Sequence, residues 1–173
     1  MPRELKKLDV IFISLVKKPA NNESLVLKSV DKPILFELVK SDAELQIAYG
    51  IVYSPNKEDL QGDMATAGTI LKAAQTFMKE GRNQNIDTNH QFAKVQAFVA
   101  ETWIVKAGDS MFPNDIGAWA VGIKIEDEAL WKGLKNGKFT GISLVTTSSR
   151  KFTLFYKINF RKILFLQFQL HQQ

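Results

Sequence analysis

The sequence predicts an α+β domain in which strands outnumber helices. Three observations carry this: short apolar segments with a two-residue period recur along the chain, two stretches carry the 3.6-residue period instead, and turn-forming residues punctuate the gaps. At 173 residues, 45% hydrophobic and 24% charged, the chain has enough apolar surface for one domain with a core.

The strand segments are 10–16 (VIFISLV), 25–29, 34–39, 45–54, 94–105, 116–125 and 140–147. Each is rich in β-branched or aromatic residues, which suit a half-buried pleated surface. In 116–125 the alternation sets Trp119, Val121, Ile123 and Ile125 on one face. Turns are expected at 19–22, at 31–33 and at Gly108 and Asp109. The first helix is expected at 66–80, where Ile70, Ala73, Ala74, Phe77 and Met78 follow helical spacing, Thr66 caps the start and Gly81 the end. The second is expected at 127–136, with acids in its first turn, Leu130, Trp131 and Leu134 on one side, and Asn136 and Gly137 as its stop. Trp103, Trp119 and Trp131 fit core anchors better than ligand platforms.

Charge and composition exclude several functions. The formal charge is +5, yet residues 129–173 hold eight Lys or Arg and no acid, so residues 1–128 are net −3. A basic face across the whole fold is therefore absent, and nucleic acid is not the expected partner. With no Cys and two His far apart, neither a disulfide framework nor a zinc site is expected, and no cofactor is called for. The stretch from 59 to 63 lacks the ligand spacing of a calcium loop and reads as a glycine turn. At the N-terminus the apolar run is seven residues, Asp9 abuts it and Lys17 and Lys18 close it. That pattern reads as a strand rather than a signal peptide, and no other stretch is long enough to span a bilayer.

The domain is expected over 1–149. Residues 150–173 form a basic aromatic tail with five Phe, one Tyr, five basic residues and no acid, Gly or Pro. Two origins stay open for it: a final pair of strands, or a segment foreign to the ancestral gene, such as the product of a shifted reading frame.

Nucleophilic acyl transfer needs a hydroxyl, a base in hydrogen-bond reach and usually a group that orients the base. The base is His90, in NIDTNHQ, or His171, in the tail; His90 is the candidate. Of the serines at 14, 24, 29, 41, 54, 110, 143, 148 and 149, Ser143 stands out, mid-strand and two residues after Gly141, where a missing side chain admits close approach by a substrate backbone.

The opening LDVIFISLVKKPAN, the IAYGIVYSPNKEDLQGDMAT block, the helix ending in FMKEGRNQNIDTNHQ, the AETWIV and GAWAVGIKI strands and the closing LWKGLKNGKFTGISL resemble, in order and spacing, the phage prohead (capsid-maturation) serine proteases of the XkdF type, relatives of the herpesvirus-assemblin-like prohead proteases. The resemblance runs over most of residues 8–144. It implies a mostly antiparallel, herpesvirus-protease-like β-barrel core with two flanking helices, and a Ser-His endopeptidase cleaving scaffold and major capsid proteins inside an assembling procapsid in the bacterial cytoplasm. By position, His90 is then the general base and Ser143 the nucleophile. Self-cleavage and a homodimer are further expectations by analogy; no membrane is involved.

For the third member, the register Val95, Ala97, Val99, Glu101, Trp103, Val105 is apolar except at Glu101. A carboxylate on an apolar face is costly without a partner, so Glu101 is the candidate for orienting His90, with Asp87 the runner-up. A bulge that flips the register would instead turn Glu101 to solvent. Herpesvirus-type relatives take this member from beyond the serine, where the chain has no acid; that leaves His171, a dyad or a damaged site. The family's small residues after the nucleophile are replaced here by Leu144 and Val145, which bears on activity through the oxyanion donors. Rival readings have His90 as a turn residue satisfied by neighbouring Asn and Asp, and Ser143 as an ordinary strand serine. Two other functions stay open: a catalytically inactive procapsid component that binds scaffold, and a small basic nucleic-acid-binding barrel resting on the tail.

Overall fold

The computed structural model describes residues 3–17, 26–28, 45–58 and 62–147. Along them run β1 (Arg3–Glu4), β2 (Val10–Val16), β3 (Val26–Lys28), β4 (Ile47–Tyr53), β5 (Asp63–Met64), α1 (Ala67–Lys79), β6 (Ile86–Thr88), β7 (Ala97–Ile104), β8 (Trp119–Ile125), α2 (Glu128–Lys135) and β9 (Gly141–Thr146). The α+β class and both helices agree with the sequence pattern. The expected strand at 34–39, the turns at 19–22 and 31–33, and the tail from 150 onward lie outside the described residues.

Both helices begin and end where their caps dictate. The Thr66 hydroxyl accepts the Thr69 N–H at 3.3 Å, and the chain leaves α1 through Gly81 at φ +66°, a left-handed exit that glycine adopts without a side-chain clash. Ile70, Ala73, Ala74 and Phe77 are buried, and Phe77 meets Trp119 edge-on at 5.5 Å between ring centroids. Met78, expected on the same face, is exposed: eight residues after Ile70 it sits about 80° around the helix, at the edge of the apolar stripe. In α2 the Asp127 carboxylate caps the Leu130 N–H at 2.7 Å, and Trp131 and Leu134 face inward.

The strands form three sheets, ordered β1-β5, β6-β2-β9 and β3-β4-β8-β7. The β1–β5 and β2–β6 pairs are parallel, the rest antiparallel. Among the described residues these sheets do not close into the barrel that the resemblance implies. After β6 the backbone turns through left-handed conformations at Asn89, His90 and Phe92, leaves the three-stranded sheet, and enters β7, which bonds to β8. Alternation along a strand reports a half-buried surface; it carries no information about which edges meet.

The main core lies between the inner faces of the two larger sheets and under both helices. Ile13, Leu15, Ile86 and Ile142 supply one wall, Val99, Trp119, Val121, Ile123 and Ile125 the other, and Ile70, Phe77, Trp131 and Leu134 fill from the helices. A second cluster covers the outer face of the four-stranded sheet, built on Tyr49, Ile51, Ala118 and Ala120 with Val105 and Phe112. β8, central in its sheet, is therefore buried on both faces, which explains its nearly continuous apolar sequence.

Candidate active site

The outer face of the three-stranded sheet carries the polar groups. In β2 the odd residues Ile13 and Leu15 enter the core, which sends the even residues Phe12, Ser14 and Val16 to the other side. Ser14 is paired with Ser143 on one flank and with Asp87 on the other. Ser143, Ser14 and Asp87 thus stand in a row on one face of three adjacent strands. Phe12 with Val145 and Val16 with Gly141 flank the row.

Ser14 and Asp87 are fully buried, whereas Ser143 retains 6% exposure. A buried carboxylate is costly unless its lone pairs are used. Here the Ser14 hydroxyl donates to Asp87 Oδ1, and the Phe92 N–H donates to Oδ2 at 2.7 Å. The Phe92 ring packs edge-on against Phe12, 6.0 Å between centroids, which anchors the loop that supplies this donor.

His90 sits in the turn between Asp87 and Phe92. Asn89 and His90 both have positive φ, 51° and 58°, and the Gln91 N–H closes the turn on the Thr88 carbonyl at 3.2 Å. Asn and His are among the non-glycine residues that tolerate this region best. The Asn89 N–H extends the parallel ladder to the Leu15 carbonyl at 3.0 Å. With its backbone held so, His90 lies over the sheet, Nδ1 3.0 Å from Ser14 Oγ.

Glu101 lies elsewhere. β7 carries a bulge between Val99 and Glu101, so Val99 faces the main core while Glu101 falls opposite Gly122 on the outer face of the other sheet. There it accepts the Tyr49 hydroxyl at 2.7 Å. Burial first, then this hydrogen bond and the carboxylate's charge, push the Tyr49 phenol up to about 12. Gly122 makes the contact feasible, since a Cβ there would sit 2.8 Å from Tyr49 Cε1 and 3.2 Å from Glu101 Cβ. The main core separates this face from His90, so the structure does not bring Glu101 to the imidazole. The acid in series with His90 is Asp87, the runner-up in the sequence.

Two participants were poorly marked in the sequence. The IDT segment looked like part of a polar turn, yet it is β6, and its pairing buries Asp87. Ser14 had one signal, a lone hydroxyl in the otherwise apolar run VIFISLV. The QGD segment ends in a structural contact: Asp63 accepts a two-pronged pair from Arg3, 2.7 Å from Nε and 2.6 Å from Nη2. Among the described residues no group of three His, Cys, Asp or Glu is placed to hold a metal ion, and no helix is long and apolar enough to cross a membrane.

A carboxylate, an imidazole and serine hydroxyls are the groups from which serine hydrolases are built, but the order differs here, since the Ser14 hydroxyl stands between Asp87 and His90. The chain belongs to the family described as "Putative phage serine protease XkdF", whose model matches residues 35–151. Two relatives from Bacillus subtilis (strain 168) are each 34% identical: "Phage-like element PBSX protein XkdF", over 86% of this chain and 56% of the relative, and "Uncharacterized protein YqbD", over 86% of this chain and 47% of the relative. The chain thus spans about half the length of these curated relatives. No solved structure matches it.

Proposed function

We propose that the chain is a serine endopeptidase of phage head maturation, with Ser143 as nucleophile and His90 as general base. One observation carries this: Ser143 and Asp87 flank Ser14 in register, and His90 Nδ1 lies 3.0 Å from the Ser14 hydroxyl. Directly opposed residues in an antiparallel pair have Cβ atoms about 4.5–5.5 Å apart, so the imidazole in contact with Ser14 stands on the same sheet face as Ser143, one strand away. Of the two serines, Ser143 is the more accessible, with 6% exposure against 0% for Ser14.

Ser143 Oγ attacks the scissile carbonyl while His90 takes its proton. The proton passes to the leaving amine as the C–N bond breaks, and water then releases the acyl group from Ser143. Asp87 offsets the imidazolium charge. The family description supports the serine-peptidase class. Scaffold and major capsid protein as substrates, self-cleavage, a homodimer and action inside the procapsid in the host cytoplasm belong to the same proposal.

The test is reaction of the full chain with a fluorophosphonate probe. Labelling that maps to Ser143 and disappears in His90→Ala supports the assignment; labelling that maps to another serine refutes it. A second reading, a catalytically silent scaffold-binding procapsid component, is favoured by the 6% exposure of Ser143 and the burial of Val145 beside it. Absence of labelling with retained scaffold binding would establish that reading instead.

A further inference from the structure

We propose that Ser14 is a positioning residue: it accepts a hydrogen bond from His90 Nδ1 and couples the imidazole to Asp87. This deepens the peptidase reading and rests on it for its catalytic consequence.

The inference follows from counting protons. A serine hydroxyl has one hydrogen and two lone pairs, and an ionised carboxylate only accepts. Asp87 takes the Phe92 N–H on one oxygen and the Ser14 hydroxyl on the other, so the single Ser14 proton points at Asp87. The contact between Ser14 Oγ and His90 Nδ1 at 3.0 Å then needs its proton from the ring. Nδ1 carries the hydrogen, and in the neutral imidazole the lone pair is on Nε2. A base that removes the Ser143 proton through Nε2 needs this tautomer.

The same count separates Ser14 from the nucleophile. A nucleophilic serine gives its proton to the base, whereas the Ser14 proton is directed at a carboxylate. Ser14 is also wholly buried in the central strand of its sheet, with no face open to a peptide. When His90 accepts the Ser143 proton it becomes a cation, and the series Nδ1–H to Ser14 Oγ to Asp87 answers that charge. The left-handed turn at Asn89 and His90 sets the backbone from which the ring makes this contact.

The tautomer can be read without any turnover. In a His171→Gln background His90 is the single imidazole of the chain, and long-range ¹H–¹⁵N spectra of ¹⁵N-histidine-labelled protein report which nitrogen is protonated. Expected are the Nδ1–H form in the parent, a shift toward Nε2–H in Ser14→Ala, and recovery of Nδ1–H in Ser14→Thr. In kinetic terms, Ser14→Ala lowers kcat/KM by about 10–100-fold, and Ser14→Thr restores most of it. An Nε2–H parent, or a tautomer unchanged in Ser14→Ala, overturns the proposal, and the parent measurement stands even if that variant does not fold. If the parent is Nδ1–H but Ser143 takes no fluorophosphonate, the Ser14 contact is supported and the peptidase reading alone falls.

Discussion

Ser14 and Ser143 stand directly opposite each other in the β2–β9 ladder, the first residue fully buried and the second with 6% exposure. Their chemistry is identical and their settings are not. The Ser14 hydroxyl is committed to Asp87 and His90. Substitution separates them. On the proposed assignment, Ser143→Ala is expected to lower peptide hydrolysis by at least about 10³-fold and to leave the urea midpoint nearly unchanged. Ser14→Ala leaves Asp87 and His90 each short of a partner and costs roughly 1–3 kcal/mol of stability. Parallel hydrolysis assays and equilibrium unfolding of both variants check this; equal stability losses would contradict it.

Glu101 is joined to Tyr49 on the face remote from His90. Glu101→Gln is therefore expected to leave hydrolysis within about twofold of the parent. It also removes the charge that helps hold the Tyr49 phenol near 12, so the ionisation of that tyrosine moves down toward its ordinary 10.0. Ultraviolet titration, with Tyr49→Phe to assign the signal, measures the shift. A large loss of activity in Glu101→Gln would restore it as the orienting acid.

The same phenol sets a stability window. Its pKa is raised in the folded chain, so between about 10 and about 12 the native state holds a proton that the unfolded state has released. Its contribution is fully present below pH 10 and is lost as pH rises through that interval. Unfolding midpoints at pH 9 and pH 11 should fall more steeply for the parent than for Tyr49→Phe.

Gly122→Ala places a methyl 2.8 Å from the Tyr49 ring. Relief requires the ring or the bulged strand to shift, and overpacking of this kind costs typically about 1–3 kcal/mol. The double variant with Tyr49→Leu, which frees the space, should recover part of the loss in urea unfolding.

Asp109 accepts the Phe112 and Met111 N–H groups at 2.8 and 2.9 Å and the Trp103 ring N–H at 2.8 Å. The Phe112 bond first, then the Trp103 bond, holds its carboxyl below the ordinary aspartate value. A lowered native pKa stabilises above the unfolded value and is lost as pH falls through the native one. The stability gap between the parent and Asp109→Ala should therefore be open at pH 6 and narrow on acidification. A gap constant down to pH 2 would remove the carboxylate from the explanation.

Elements with many redundant cues were legible in the sequence. The helix Ala67–Lys79 carries a cap, a stripe and a terminal glycine, and the strand Trp119–Ile125 carries four large residues on one face. The three-residue strand Ile86–Thr88 carries no such repetition, and its polar flanks read as turn. The bulge in β7 was an open alternative in the sequence; it decides the face of Glu101, because one extra residue reverses every side chain beyond it.

Local chemistry in the sequence was enough for the α+β class and for the helix boundaries, because periodicity and capping act over a few neighbours along the chain; His90 and Ser143 entered as candidates from the scarcity of histidine, the glycine before the serine and the family resemblance. The acid in line with the imidazole, and the serine between them, were settled only by tertiary structure. Ser14 and Asp87 are 73 positions apart, and it is the parallel pairing of β2 with β6, a contact no local pattern encodes, that sets their side chains together on one buried face.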